Sequence, residues 1–183
     1  MLKIFQDTHY RFKDEIRKLY VDTFSQGDAE QHIDPEDLET EIRLTYEEGM
    51  MMVAVDEDDE KLTGALFVYP LQYNAGFKPE LSDVCDKVHT PYIAELMVRN
   101  NYQGKGTGRL LLMKTLTKLQ QNRFTEVFIR VWNKNLKALH LYQKAGFKEV
   151  GKMFQTKLFS DKMTKIVMEK VYLRKIFLSS KDI

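Results

Sequence analysis

Apolar residues along this chain follow two spacings, and each spacing marks a kind of element. Phe12, Ile16, Leu19, Tyr20 and Phe24 fall on one helical face, which predicts a helix from near His9 to Phe24. Asp34-Pro35-Glu36-Asp37 opens a second helix, with Asp34 as N-cap, Pro35 in the first helical position and acids in the first turn; it ends near Glu48-Gly49. Leu2 to Phe5, Met50 to Val55, and Leu62 to Leu71 are short apolar runs that predict strands, the last two joined by the charged turn 56–60. A strand over 92–98 precedes a helix from about Gly106 to Gln121, whose Leu112, Leu116 and Leu119 share a face. A strand over 125–131 and a helix over 135–145 follow, with Gly146 as the helix stop. Phe147 to Phe154 and Lys162 to Val171 predict a closing hairpin around Ser160-Asp161. Residues 72–91 keep neither period, although Leu81, Val84 and Val88 suggest a short helix.

This order predicts one mixed α/β domain over residues 1–172 and a C-terminal tail over 173–183. Hydrophobic residues at 43% suffice for a core, and a net charge of +1 argues against general nucleic-acid binding or a polybasic membrane surface. The single cysteine, Cys85, excludes an internal disulfide and fits a reducing compartment. No 18-residue apolar run and no basic-then-apolar leader pattern occur, so a cytoplasmic protein is expected. The acidic turn 56–60 is read as a solvated hairpin tip rather than a cation site, and no metal is expected.

The most informative six residues are Gln103-Gly104-Lys105-Gly106-Thr107-Gly108, lying between a predicted strand and a helix that opens at Arg109. Glycines allow sharp turns and close ligand approach, and a helix N-terminus offers free N–H groups and partial positive charge. Together they predict a phosphate cradle. The spacing excludes a dinucleotide fingerprint, because Arg109 and Leu111 stand where its third glycine would fall; no stretch matches a P-loop. What remains is Gln-x-x-Gly-x-Gly after a strand ending Leu96-Met97-Val98. Downstream, Asn135-Leu136-Lys137-Ala138-Leu139-His140-Leu141-Tyr142-Gln143-Lys144-Ala145-Gly146-Phe147 follows the pattern N-x-x-A-x-x-L-Y-x-x-x-G-F.

These two motifs, in this order, resemble those of the GNAT (GCN5-related N-acetyltransferase) superfamily. The resemblance covers about residues 93–171 well and the earlier part loosely. It implies a mostly antiparallel sheet flanked by helices, with two central parallel strands that splay apart, here 92–98 and 125–131. It further implies acetyl-CoA as co-substrate. The amides of Gly104, Lys105, Gly106, Thr107, Gly108 and Arg109, with Gln103, would hold the pyrophosphate. The backbone around Leu96, Met97 and Val98 would pair with the pantetheine arm, and the Val98 N–H would face the thioester oxygen. Asn135 suits the amide-bearing arm and equally the N-cap of its helix. Lys105, Arg109, Lys134 and Lys137 are minor candidates for phosphate contacts.

Acetyl transfer to an amine requires loss of a proton from the nucleophile, stabilisation of the thioester oxygen, and a proton for the departing thiolate. Tyr142 matches the family's acid, and a phenol is protonated at neutral pH; a packing role beside Leu139 and Phe147 is the alternative. Glu95 is the one carboxylate of its strand and the candidate base, but a one-residue slip would turn it to the other face. A salt bridge to Arg99 or Arg130 is its alternative role, and Tyr92 and His89 are reserves. Between Asp28 and Met50, nine acids against Arg43 favour a small cationic amine such as a polyamine as acceptor, unless they merely solvate the helix. Tyr10, Tyr20, Phe24, Tyr46, Tyr69 and Tyr73 are candidate pocket aromatics. A macromolecular acceptor such as a protein N-terminus, or a non-catalytic CoA-binding module, are the competing functions. The oligomeric state is left open, a homo-oligomer included.

Overall fold

A computed structural model of the chain describes residues 1–26, 30–74, 76–77 and 85–177. In chain order these form β1 (Leu2–Gln6), α1 (Lys13–Phe24), α2 (Pro35–Glu47), β2 (Met50–Asp56), β3 (Lys61–Pro70), β4 (Pro91–Val98), α3 (Thr107–Gln121), β5 (Glu126–Trp132), α4 (Leu136–Lys144), β6 (Lys148–Leu158) and β7 (Lys165–Ile176). The seven strands make one sheet in the order β1-β2-β3-β4-β5-β7-β6. Every neighbouring pair is antiparallel except β4 and β5. The mixed, mostly antiparallel architecture agrees with the expectation.

Helices cover both faces, and the strand period decides which side chain meets which helix. From β2, Met50, Met52 and Ala54 pack with Leu111, Leu112, Leu116 and Leu119 of α3. Met51, Val53 and Val55 point the other way, against Phe12, Ile16 and Leu19 beside α1, and Leu38 and Ile42 of α2. Burial on both faces explains why Met50 to Val55 reads as an unbroken apolar run. Gly64 lets three elements approach: a Cβ there would lie 2.8 Å from the Met97 carbonyl oxygen and 2.9 Å from Leu111 Cδ1.

Element boundaries depart from the periodic pattern where side chains compete for the backbone. The first helix begins at Lys13, not His9. Buried Asp7 accepts the N–H groups of His9, Arg11 and Phe12 and the Tyr46 hydroxyl, and Tyr10 adopts φ 57°, a left-handed value incompatible with a helix. Asp34 caps α2 as its sequence implies, accepting the Glu36 N–H at 2.8 Å. The closing hairpin is longer than its hydrophobic pattern: β7 runs to Ile176 and Phe177 is buried, so residues 173–177 join the domain. The polar end of β6, Gln155-Thr156-Lys157, is held by ladder pairing with β7 rather than by apolar burial. Leu81 and Val84 of the suggested short helix lie outside the described residues, as do 178–183; Val88 is exposed in a turn.

Candidate active site

The parallel strands at the centre of the sheet part company. β4 and β5 pair only at Tyr92 with Phe128 and at Ile93 with Ile129. Past these residues the β5-facing backbone of β4 has no strand partner, which leaves a wedge open towards Val98. At its mouth stands the glycine loop. Gly104 and Gly106 take φ values of 73° and 87°, the left-handed region that glycine occupies without strain. A Cβ built at either position meets nothing within 4 Å, so both face open space. The N–H groups from Gly104 to Arg109 find no hydrogen-bond acceptor among the described residues; Leu110 is the first to find one, at the Gly106 carbonyl, 2.9 Å away. Gln103 braces the loop, its Nε2 donating to the Val98 carbonyl at 3.0 Å and to Asn100 Oδ1 at 3.1 Å. Six donors in succession, two more than a helix end alone supplies, are thus without an acceptor among the described residues, the arrangement an anion cradle requires.

Tyr142 lies on the α3 and α4 side of the wedge. Its ring is buried in the core there and meets Phe147 edge-on at 5.9 Å. Its hydroxyl has no hydrogen bond among the described residues. Burial raises its pKa, and the charges of Glu95 and Tyr92 add to the effect, so the phenol keeps its proton throughout the physiological range. Asn135 caps α4, accepting the Ala138 N–H at 3.2 Å.

Glu95 lies on the opposite face, and a β-bulge puts it there. Phe67 of β3 pairs with Glu95, but the next residue, Val68, pairs with Ile93, so Ala94 is an extra residue on β4. The parity of the strand flips at that point. Ile93 packs on the α3 side, whereas Ala94, Glu95 and Met97 turn to the α1 and α2 side. A cavity of about 550 Å³ opens there, lined by α1, α2, the ends of β3, and β4 to β7, with Glu95 in its wall. Burial, then the nearby Glu41, pushes the Glu95 carboxyl up to about 8, against the opposing pull of Lys170, Lys157 and Arg130. Glu95 makes no ion pair within 4 Å among the described residues. Arg99 is held elsewhere, by the Leu62 carbonyl and Glu15.

Residues 13–147 match the Acetyltransferase (GNAT) family. The chain belongs to this family. No curated protein matches the sequence. Solved structures share the fold at low identity. Ribosomal-protein-alanine N-acetyltransferase from Brucella melitensis superposes with a TM-score of 0.71 at 18% identity, over 96% of this chain and 99% of that one. The yncA protein of Salmonella typhimurium, solved with acetyl-CoA, gives 0.71 at 16%, over 98% and 95%. A Bacillus subtilis acetyltransferase in complex with CoA gives 0.66 at 18%, over 97% and 100%.

In this GNAT chain the residues singled out by sequence lie in several places around the parting of β4 and β5. Leu96 turns to the α3 side and Met97 is fully buried on the other, so only their backbones border the opening. His89 is exposed and paired with Asp86 at 2.6 Å, and it does not line the cavity, whereas Tyr92 does. Lys105 stacks over the Tyr102 ring at 5.5 Å and Lys134 over Trp132 at 5.8 Å. Among the pocket aromatics, Tyr20, Phe24, Tyr69 and Tyr73 line the cavity, while Tyr10 and Tyr46 stack on each other at 3.9 Å beside Asp7. Of the nine acids, Asp34, Asp37 and Glu41 line it; Glu39 is bound by Arg17 and Lys13, Glu47 by Arg43, and Asp28 lies outside the described residues. Sequence missed Asn74, Lys157 and Lys170 as cavity residues. Lys170, like Arg130, interrupts an apolar strand, and that was the available signal.

Proposed function

We propose that this protein transfers the acetyl group of acetyl-CoA to a primary amine by direct attack of the amine on the thioester. The carrying observation is the parting of β4 and β5, with six unbonded N–H groups in the loop beyond β4, Tyr142 buried on the α3 and α4 side and Glu95 in the wall of a cavity on the α1 and α2 side. Bound acetyl-CoA would supply the activated acyl group. The cradle amides and Gln103 would hold its pyrophosphate, and the unpaired edge of β4 would receive the arm as an added strand. Glu95 takes a proton from the attacking nitrogen in the cavity. As the C–N bond forms and the C–S bond breaks, Tyr142 gives its proton to the sulfur. Nucleophile and leaving group thus act from opposite faces of the sheet. A module that only bound CoA would have no use for a base opposite an acid.

Acetyl-CoA is expected to bind and to stabilise the fold by about 2.7 kcal/mol at 100 times its dissociation constant. Calorimetry and a melting shift with millimolar acetyl-CoA check this; no heat and no shift would end the proposal.

The carboxyl of Glu95 gives the pH dependence its sign. With a pKa near 8 it is mostly protonated at neutral pH, so kcat/KM rises as pH increases through about 8. Glu95→Gln should lower kcat by about 10²-fold or more and remove this rise, leaving only the ionisation of the amine itself. The same group also leaves a mark on stability. Between about 4.5 and about 8 the native state holds a proton that the unfolded chain has lost, so the contribution of Glu95 to stability falls with pH across that window and then levels. The melting temperature of the Gln variant should decline less over this interval. A variant with the parent's rate and pH profile would remove Glu95 from the mechanism.

The acidic α2 region suggests a small cationic acceptor such as a polyamine. Within the cavity, however, Arg130, Lys157 and Lys170 oppose Asp34, Asp37, Glu41 and Glu95. The charge that a substrate meets there is divided, not uniformly negative.

A further inference from the structure

The cavity is sorted by charge. Its carboxylates come from α2, its N-cap and β4, as Asp34, Asp37, Glu41 and Glu95; its cations come from β5, β6 and β7, as Arg130, Lys157 and Lys170. Sheet register brings two of the cations together. Arg130 pairs with Tyr172 and Trp132 with Lys170, so Arg130 and Lys170 are diagonal neighbours on one face. None of Arg130, Lys157 and Lys170 has a carboxylate within 4 Å among the described residues. Each also feels the others: burial lowers the Lys170 pKa, Glu95 opposes that shift, and Arg130 and Lys157 add to it.

Three buried polar atoms of the cavity lining lack partners among the described residues: Gln31 Oε1, Glu41 Oε2 and Asn74 Nδ2. Asn74 is 7% exposed and sits next to Arg130. Its Oδ1 accepts Arg130 Nη1 at 3.3 Å, the Gly76 N–H at 3.1 Å and the Tyr172 hydroxyl at 3.4 Å. Three donors on that oxygen fix the amide's orientation, so Nδ2 is the buried donor left over, and it has no acceptor. On the opposite wall Glu41 Oε2 is buried with no donor. An unused donor among cations calls for an anionic oxygen, and an unused carboxylate oxygen near Glu95 calls for an N–H group.

Resting on the acetyltransferase proposal, we infer that the acceptor is an amino acid-type molecule: its anionic carboxylate lies on Arg130, Asn74 Nδ2 and Lys170, and its amine points towards Glu95 and Glu41. A polyamine would satisfy the acids and leave the three cations and Asn74 unanswered; a simple carboxylic acid would do the reverse. The reaction balances as before. The amine nitrogen gains the acetyl group and loses one proton, the sulfur gains one, and the product is an N-acetyl amino acid that keeps its carboxylate.

The test uses matched pairs that differ by the carboxylate alone: L-ornithine with putrescine, L-lysine with 1,5-diaminopentane, L-phenylalanine with phenethylamine, and L-glutamate with 4-aminobutyrate as an anionic control. Initial rates of CoA release are measured with acetyl-CoA saturating. The amino acid of at least one decarboxylation pair should exceed its amine at least tenfold in kcat/KM. Lys170→Met and Arg130→Gln should each erase most of that preference by raising KM for the amino acid relative to that for its paired amine, with acetyl-CoA affinity by calorimetry unchanged. Equal rates within every pair, faster polyamines, no reaction with any amino acid, or a preference that survives both variants would each overturn the inference. Acetyl-CoA binding separates the two levels: if it fails, the acetyltransferase proposal fails with it; if it holds while polyamines win, only the acceptor assignment falls.

Discussion

Tyr142→Phe is expected to cut turnover by about 10²–10⁴-fold, the usual worth of a positioned acid, while acetyl-CoA affinity changes by no more than a few fold. The ring lies in the core against Phe147, and the hydroxyl makes no hydrogen bond among the described residues, so Phe keeps the packing and strands no partner. Stability should therefore change by less than about 1 kcal/mol. Burial raises the phenol's pKa, which keeps the proton in place until a thiolate develops beside it and excludes Tyr142 as a base at neutral pH. The decisive measurement is the single-turnover rate constant, because product release can mask the chemical step in steady state. An unchanged single-turnover rate would make Tyr142 a packing residue.

Gly106→Glu should weaken acetyl-CoA binding by on the order of 10²-fold or more. A carboxylate at that site would stand among the six free N–H groups and meet the incoming phosphates. Two such charges about 5 Å apart, at an effective dielectric of about 20, repel by roughly 3 kcal/mol. Space does not oppose the substitution, since a Cβ there meets nothing within 4 Å, but the backbone does: at φ +87° a side chain costs about 1–2 kcal/mol. Gly106→Asn separates the two effects, because Asn tolerates the left-handed region and brings no charge. The Asn variant should bind acetyl-CoA to within about tenfold of the parent. Parental affinity in the Glu variant, read by calorimetry, would move the phosphate site away from this loop.

Much of this architecture was legible from local pattern. Asp34-Pro35 announced the start of α2 because capping is decided within four residues. The glycine loop with its unbonded N–H groups was legible for the same reason: the glycines and the helix start that follow them are neighbours in the chain. Where the pattern misled, a residue from elsewhere had claimed the backbone. Asp7 delays α1 by taking three N–H groups and the Tyr46 hydroxyl. Pairing with β7 extends β6 through residues with no apolar alternation.

The sequence by itself determined the order of elements, through periods of two and of 3.6 residues that local chain geometry dictates. Its two motifs carried the resemblance to the family, and that resemblance implied the wedge between 92–98 and 125–131 and the candidacy of Tyr142 and Glu95. Only the tertiary structure decided which way Glu95 faces. The bulge at Ala94 exists because Phe67 and Val68 of β3 pair with Glu95 and Ile93, and nothing in the β4 sequence encodes that extra residue. The character of the cavity beside Glu95 was decided in the same way. Nine acids in one segment suggested a negative site, but Arg130, Lys157 and Lys170, brought from three later strands, face the acids that reach it. Local charge is additive along the chain, whereas the field in a cavity is summed over whichever elements the fold brings around it.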